Sequence, residues 1–90
     1  MNNTEEGLNA LGYRLLSEGN IVEAIKVLKT NVQTFPESWN ACDSLAEAYA
    51  VAGRTAKAIH YYTESLRLNP GNENARRMLG RLKTVDGKDG

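Results

Sequence analysis

Apolar residues recur at steps of three and four positions along most of this 90-residue chain. From residue 39 to residue 52 the steps fall on Trp39, Cys42, Leu45, Ala46 and Tyr49. Side chains at this spacing share one face of a helix, whereas a strand would alternate polar and apolar residues. The same spacing returns in four other segments, which start near residues 5, 21, 55 and 73. The pattern therefore predicts an all-α protein of five helices, with no sheet.

Glycine and proline mark the predicted ends of these helices. Gly53 suits a helix C-terminus because glycine adopts the left-handed conformation at little cost. Thr55, two residues further on, is predicted to be the N-cap of the next helix. The Asn-Pro-Gly run at residues 69–71 ends that helix, since proline cannot continue the hydrogen-bond ladder. Gly19 and Pro36 predict the same two stops earlier in the chain.

The chain also matches itself with a 34-residue period. The identical pairs at this shift are Leu11 with Leu45, Gly19 with Gly53, Ala24 with Ala58, Ile25 with Ile59, and Pro36 with Pro70. Self-similarity at a fixed period of this length indicates a repeat architecture. We therefore expect one domain over residues 1–90, made of repeats at 5–38 and 39–72, a capping helix at 73–84 and a frayed tail at 85–90.

Both repeats resemble the tetratricopeptide repeat (TPR). Its pattern is an aromatic residue, Leu-Gly, Tyr, then Ala with an aromatic residue four positions later, and finally Pro. In residues 39–72 the matches are Leu45-Ala46, Tyr49, Gly53, Ala58 with Tyr62, and Pro70. In residues 5–38 they are Leu8, Leu11-Gly12, Leu15, Gly19, Ala24 with Leu28, and Pro36. The resemblance implies an α-α superhelix of two helix hairpins closed by a capping helix.

Small residues stand where two helices of one repeat would approach most closely. Gly12 and Ala46 occupy this position in the two repeats, and Ala24 and Ala58 fill the facing position. A large side chain at any of these positions would force the helices apart. We therefore expect all four to be buried.

The resemblance implies that the first helix of each repeat lines a concave groove and that a partner peptide or protein segment binds there. The groove residues by register are Glu6, Asn9, Tyr13, Leu16, Ser17, Asn40, Asp43, Glu47, Ala50, Val51, Asn74, Arg77 and Arg81. Some family members hold a peptide carboxylate with Lys and Asn at such positions. Asn9 fits that pattern, but Tyr13, Asp43 and Glu47 depart from it. The expected function is therefore a non-enzymatic protein-protein interaction module, and a receptor for a terminal carboxylate is not expected.

Charged residues recur at the repeat spacing within this groove. Asp43 and Glu47 lie one helical turn apart, and Arg77 and Arg81 take the same two positions after one 34-residue period. One interpretation, which we favour, is a ladder of salt bridges between neighbouring helices, worth about 0–1 kcal/mol for each exposed pair. The other is a mixed-charge binding site for a peptide that carries both signs.

The overall charge argues against a general polyanion binder, because eleven basic residues balance eleven acidic ones. The excess of positive charge is confined to the last segment, through Arg76, Arg77, Arg81 and Lys83. Weak nucleic-acid contact through these residues is one alternative function, and we consider it less favoured than a protein partner. Self-association is another, because the first helix has no upstream neighbour. Leu16, Ile21 and Val22 would then contribute to a homodimer, or else be covered within the first repeat.

No constellation of residues for catalysis or metal binding is present in the sequence. The lone cysteine, Cys42, falls on the apolar face and is expected to be a buried hydrophobic residue. The lone histidine, His60, is expected to be solvated. There is no run of about 18 apolar residues for a membrane span, and residues 1–6 lack the basic and apolar parts of a secretory signal. We therefore predict no cofactor, metal, small-molecule substrate or membrane contact, and a cytoplasmic location.

Overall fold

The computed structural model describes the backbone of residues 4–87 and the side chains of residues 4–84. This part of the chain is helical and has no strand. Its elements are α1 (Glu5–Ser17), α2 (Ile21–Thr34), α3 (Trp39–Val51), α4 (Thr55–Leu68) and α5 (Glu73–Gly87). The predicted all-α class is therefore confirmed.

The helix α5 extends beyond Thr84, where the predicted capping helix ends. The Thr84 hydroxyl donates to the Gly80 carbonyl at 2.7 Å, so this turn is intact, and the helical backbone continues to Gly87. The predicted frayed tail at 85–90 otherwise lies outside the described residues.

Short turns fold the helices back on one another in chain order. The hairpins α1–α2 and α3–α4 pack against each other through α2 and α3, and α5 packs on α4. The first helices α1 and α3 also touch directly. The resulting body measures 45 × 28 × 18 Å. Gly19 and Gly53 end the first helices with φ angles of 83° and 79°, as their sequence positions predict.

The first helix of each unit begins with the same kind of cap. Thr4, Ser38 and Asn72 occupy the same position in successive 34-residue units. Their side-chain oxygens accept hydrogen bonds from the N–H groups of Gly7, Ala41 and Ala75 at 3.0, 3.0 and 3.2 Å. Each cap satisfies one of the N–H groups that a helix leaves free at its N-terminus.

The prediction that Thr55 caps α4 is wrong. The Arg54 carbonyl already accepts the first intrahelical hydrogen bond, from the Ala58 N–H at 3.0 Å, so the helix starts at Thr55 itself. Arg54 is therefore the N-cap, and its side chain makes no capping hydrogen bond.

The core lies between the two hairpins and under α5. Its buried residues are Leu28, Leu45, Ala46, Ala48, Tyr49, Ala58, Tyr62, Ala75 and Leu79. The small positions behave as predicted, since Ala24, Ala46 and Ala58 are fully buried. At Gly12, an added Cβ atom would lie only 2.3 Å from the Cδ2 atom of Leu28.

A repeated polar clamp closes each hairpin. The Asn31 side chain donates to the Glu5 carbonyl at 3.1 Å, and the Ser65 hydroxyl donates to the Trp39 carbonyl at 2.8 Å. Both pairs are separated by 26 residues, and both join the last turns of the second helix to the start of the first helix. These bonds fix where the two helices of a hairpin cross.

Candidate functional site

The predicted groove contains a pocket between α3 and α5. This groove pocket has a volume of about 320 Å³ and is lined by Glu47, Ala50, Val51, Tyr62, Asn74 and Met78. Val51 is 57% exposed, so an apolar side chain is presented to solvent at its edge. Glu47 and Asn74 supply polar atoms beside the apolar lining. The pocket can therefore accommodate an apolar side chain of a bound peptide. Glu47 and Asn74 can form hydrogen bonds with the backbone of that peptide.

The floor of the groove is held by a hydrogen bond between neighbouring first helices. The Tyr13 hydroxyl on α1 donates to Oε1 of Glu47 on α3 at 2.8 Å. Burial raises the pKa of Tyr13 to about 12, and the nearby Glu47 and Asp43 carboxylates add to the rise. Tyr13 therefore remains a protonated donor at neutral pH, and it orients the Glu47 carboxylate that lines the groove pocket.

Asp43 is used inside the protein and is not offered to a ligand. Its side chain is only 7% exposed. Its carboxylate accepts from Nδ2 of Asn72 at 2.7 Å and from Nδ2 of Asn74 at 3.2 Å. The Asn72 amide also donates to the Ser65 hydroxyl at 2.9 Å. This network ties the start of α5 to α3 and α4.

The predicted salt-bridge ladder is wrong. Within the described side chains the salt bridge present joins Arg67 to Glu64 on α4, and neither Arg77 nor Arg81 pairs with an acidic residue. Asn72 and Asn74 occupy the Asp43 carboxylate instead, because the residue opposite Asp43 is 31 positions later and not 34. Arg77 and Arg81 are left on the exposed side of α5.

The other predicted groove residues divide into solvent-facing and core positions. Glu6 and Asn40 are exposed, whereas Leu16 packs against the core. Asn9 is half-buried, and its side-chain oxygen is covered without a hydrogen-bond partner among the described residues. The structure thus joins Tyr13 to Glu47 and Asp43 to Asn74 by hydrogen bonds, and it brings Glu47, Ala50, Val51 and Asn74 together around the groove pocket. The remaining predicted residues take part in neither arrangement: Glu6, Asn9, Leu16, Ser17, Asn40, Arg77 and Arg81.

Sequence reasoning missed three residues of this region. Met78 and Tyr62 line the groove pocket, and Asn72 orders Asp43. Asn72 could have been found from the 34-residue interval of Thr4 and Ser38, which are both capping residues. Met78 and Tyr62 fall at apolar positions of α5 and α4, which by spacing alone indicate core, and in the structure they contribute to both the core and the pocket wall.

Chemically reactive groups are kept out of this region. Cys42 is 1% exposed, as predicted, and burial raises the pKa of its thiol. His60 is exposed, as predicted, and its ring is edge-on to the Tyr61 ring, with 4.8 Å between the ring centroids. In the part of the chain that the structure describes, no three His, Cys, Asp or Glu side chains are grouped for a metal ion. None of the helices in that part has the length and apolar character needed to cross a membrane.

Comparison with known proteins points to one kind of repeat. The family model described as Tetratricopeptide repeat matches residues 39–72. The chain is also similar to the TPR repeat-containing protein YvcD of Bacillus subtilis (strain 168), with 38% identity over 61 residues. The match covers 68% of this chain but only 13% of that relative, so the chain spans a small part of its length.

Proposed function

Because the chain belongs to the tetratricopeptide repeat family, we propose that it binds an extended segment of a partner protein in its groove. Members of this family are generally protein-protein interaction modules without catalytic activity, and their stacked helix pairs form extended concave surfaces. In this proposal residues 5–38 and 39–72 are the two repeats and residues 73–84 close the array. The chain acts as a binding module in the cytoplasm and catalyses no reaction.

The observation that carries this proposal is the groove pocket. Its apolar lining and its volume of about 320 Å³ suit one apolar side chain of the bound segment. Glu47 and Asn74 stand at its rim, where they are able to hydrogen-bond to the backbone of that segment. Pockets that bind ligands commonly combine an apolar lining with a few placed polar groups. The exposed Val51 gives the bound segment additional apolar surface to cover.

The arginines on α5 extend the same face beyond the pocket. Arg77 and Arg81 follow Asn74 and Met78 at helical spacing, so they share the side of α5 that borders the groove pocket. Since neither is engaged in a salt bridge with another described side chain, they favour an acidic residue next to the apolar anchor. Of the two interpretations of the charged residues, the salt-bridge ladder is wrong. From the other interpretation, the mixed-charge binding site, we retain the contact of Arg77 and Arg81 with a ligand.

Selection from a random peptide library tests this function. Peptides selected by the wild-type domain should lose about tenfold in affinity for Val51→Glu, since a carboxylate at the pocket edge opposes apolar contact. Thr63→Glu is the matched control, because it places the same charge at an exposed β-branched residue of α4. Equal binding by wild type and Val51→Glu would contradict the groove as the binding surface.

Self-association remains a second candidate, and a feature on the outer side of α1 favours it. Gly7, Ala10, Leu11 and Arg14 line a pocket there of about 300 Å³. Of the residues predicted to contribute, Leu16 packs against the core, whereas Val22 is 67% exposed. Sedimentation equilibrium should show a dimer that Ala10→Glu dissociates, and a monomer at all concentrations would contradict it. Nucleic-acid contact through α5 stays the less favoured alternative.

A further inference from the structure

A second concavity lies between the second helices of the two hairpins and is separate from the groove. Its volume is about 300 Å³, and it is lined by Val22, Ile25, Lys26, Lys29, Tyr49, Arg54 and Lys57. We name it the basic pocket, since four of these seven residues are cationic and none is acidic. It shares no lining residue with the groove pocket. Sequence inspection did not indicate it, because its residues come from separate helices and an intervening turn.

The cations of the basic pocket are not neutralised within the protein. The side chains of Lys26, Lys29, Arg54 and Lys57 are exposed, and none makes a salt bridge or hydrogen bond to another side chain between residues 4 and 84. The chain has eleven basic residues and no net charge, so four of the eleven gathered in one concavity are a local excess. Like charges that line a cleft with an apolar wall concentrate positive potential inside it.

The N-terminus of α4 adds to this potential. The helix starts at Thr55 with Arg54 as its N-cap, no capping side chain and no acidic residue in its first turn. Its first turn instead carries Lys57, although the N-terminal end of a helix favours negative charge. The other second helix, α2, likewise has no capping side chain, whereas the first helices α1, α3 and α5 have a side-chain oxygen at the corresponding place. An anion in the basic pocket would lie near this end of α4, because the N-cap Arg54 and the first-turn Lys57 both line the pocket.

Tyr49 gives the basic pocket a rigid floor. Its side chain is 5% exposed, and its ring stacks on Tyr61 with 5.7 Å between centroids. The Lys57 ammonium lies 5.8 Å from the centroid of the Tyr49 ring, which holds it over the floor. Val22, Ile25 and Tyr49 supply the apolar part of the lining, so the four cations border one concavity of about 300 Å³. An extended stripe of basic residues, which a nucleic-acid backbone would follow, is not formed by these residues.

We propose that the basic pocket binds a compact phosphate group that carries two or more negative charges. The group is either a phosphorylated side chain of a protein segment or a small free phosphate compound. Both sources present the same chemistry to Lys26, Lys29, Arg54 and Lys57. The proposal is independent of peptide binding in the groove, because the two pockets have no residue in common.

Isothermal titration calorimetry with sodium pyrophosphate tests the pocket directly. We expect saturable binding to one site, weaker at higher salt, with the amide NMR signals of residues 55–57 shifting on titration. Lys57→Ala and Lys26→Ala should each lower the affinity by about threefold, as is typical for one exposed ion pair. Lys83→Ala is the matched control, since it removes an equally exposed lysine from α5 outside the pocket.

A phosphoserine peptide and its unphosphorylated form distinguish the two sources. Tighter binding of the phosphopeptide than of pyrophosphate assigns a protein segment, and the reverse order assigns a free phosphate compound; both support the pocket. Absence of saturable binding by either probe would overturn the proposal. An equal loss of affinity in Lys83→Ala and in Lys57→Ala would also overturn it. The same holds if a single-stranded oligonucleotide binds more tightly than both probes and displaces them. Circular dichroism confirms that each variant is folded before its affinity is compared.

Discussion

Gly12, Ala46 and Gly80 are small residues on α1, α3 and α5 and are related by the 34-residue period. They do not have the same surroundings. Gly12 faces Leu28, and an added Cβ atom would lie 2.4 Å from the Cγ atom of that leucine. Ala46 is fully buried, whereas Gly80 has nothing within 4 Å of an added Cβ atom. The constraint on size therefore comes from the second helix of the hairpin, which α5 lacks within the described residues.

Alanine should stabilise the protein at Gly80 but not at Gly12. Both changes gain about 1 kcal/mol of helix propensity. Gly12→Ala also overpacks a fully buried leucine, at a cost of about 1–3 kcal/mol, so we expect no gain or a net loss. Gly80→Ala should stabilise the protein. Urea denaturation followed by circular dichroism measures both, and equal stabilisation by the two variants would contradict the packing of Gly12 on Leu28.

The burial of Tyr13, together with its hydrogen bond to Glu47, should make stability depend on alkaline pH. The folded pKa of Tyr13 is about 12, above its ordinary value of 10.0. A raised pKa means that the contribution is complete below pH 10 and is lost as pH rises from about 10 to about 12. The loss should reach up to about 2 kcal/mol in the free energy of unfolding.

Denaturation of the wild type and Tyr13→Phe between pH 8 and pH 12 measures this dependence. The variant should be less stable at pH 8 by about 1 kcal/mol, the usual worth of one hydrogen bond. It should also lose less stability than the wild type as the pH rises. Cys42, Tyr61 and Tyr62, whose pKa values are also raised by burial, remain in both proteins and contribute to the residual slope. Parallel pH profiles would rule out the assigned role of Tyr13.

At the scale of elements, the caps decide how the first helices are attached. Thr4 caps α1 at an exposed end, while Asn72 caps α5 and also donates to Asp43 and Ser65. Both residues therefore cap a helix, but only Asn72 also links its helix to neighbouring helices. Asn72 is 6% exposed, and its partners Asp43 and Ser65 are also buried. The packing of α5 therefore removes the polar groups of this network from water. The position of Asn74 beside the groove pocket follows from this attachment.

Removal of the two caps should therefore have unequal effects. Thr4→Ala should cost about 1 kcal/mol, the value of a lost N-cap. Asn72→Ala should cost about 2–4 kcal/mol, because it also leaves the buried Asp43 carboxylate short of a donor. Amide hydrogen exchange should accelerate throughout α5 in Asn72→Ala but only in the first turn of α1 in Thr4→Ala. A similar cost for both variants would show that the network around Asp43 contributes nothing.

At the scale of the whole molecule, one core joins the two hairpins and α5. The cluster runs from Leu28 on α2 through Leu45 on α3 and Tyr62 on α4 to Leu79 on α5. Stacked repeats contact only their neighbours, and about three of them are usually needed for stability. The described residues form two hairpins and one further helix around this single core, so each interface between them should matter to the stability of the whole core.

Leu45→Ala should accordingly weaken every helix together. Removal of this fully buried side chain should cost about 2–5 kcal/mol. Since Leu45 lies where both hairpins meet, amide exchange should accelerate in α2 and in α4 to the same extent. Leu68→Ala, at a half-buried position, is the milder control. Retained protection of α1 and α2 in Leu45→Ala would indicate that the first hairpin is stable by itself.

The sequence by itself determined the five helices, the ends of the first four, the 34-residue period and the small residues at the hairpin contacts. These features depend on residues within one or two turns or on repetition of one unit, so they are visible along the chain. It also indicated Tyr13, Asp43, Glu47 and Asn74, since they fall on the groove side of the first helices. It did not indicate their partners, and the prediction of a salt-bridge ladder failed.

Only the tertiary structure decided which side chains meet. Tyr13 meets Glu47 at a separation of 34 residues, but Asp43 meets Asn74 at a separation of 31. An offset of one helical turn between α3 and α5 is enough to place Asn74, and not Arg77, opposite Asp43. The basic pocket likewise exists because stacking brings α2 beside the start of α4. Periodicity specifies which face of its helix a residue is on. The offset of neighbouring helices along their axes depends on the packing of the whole core.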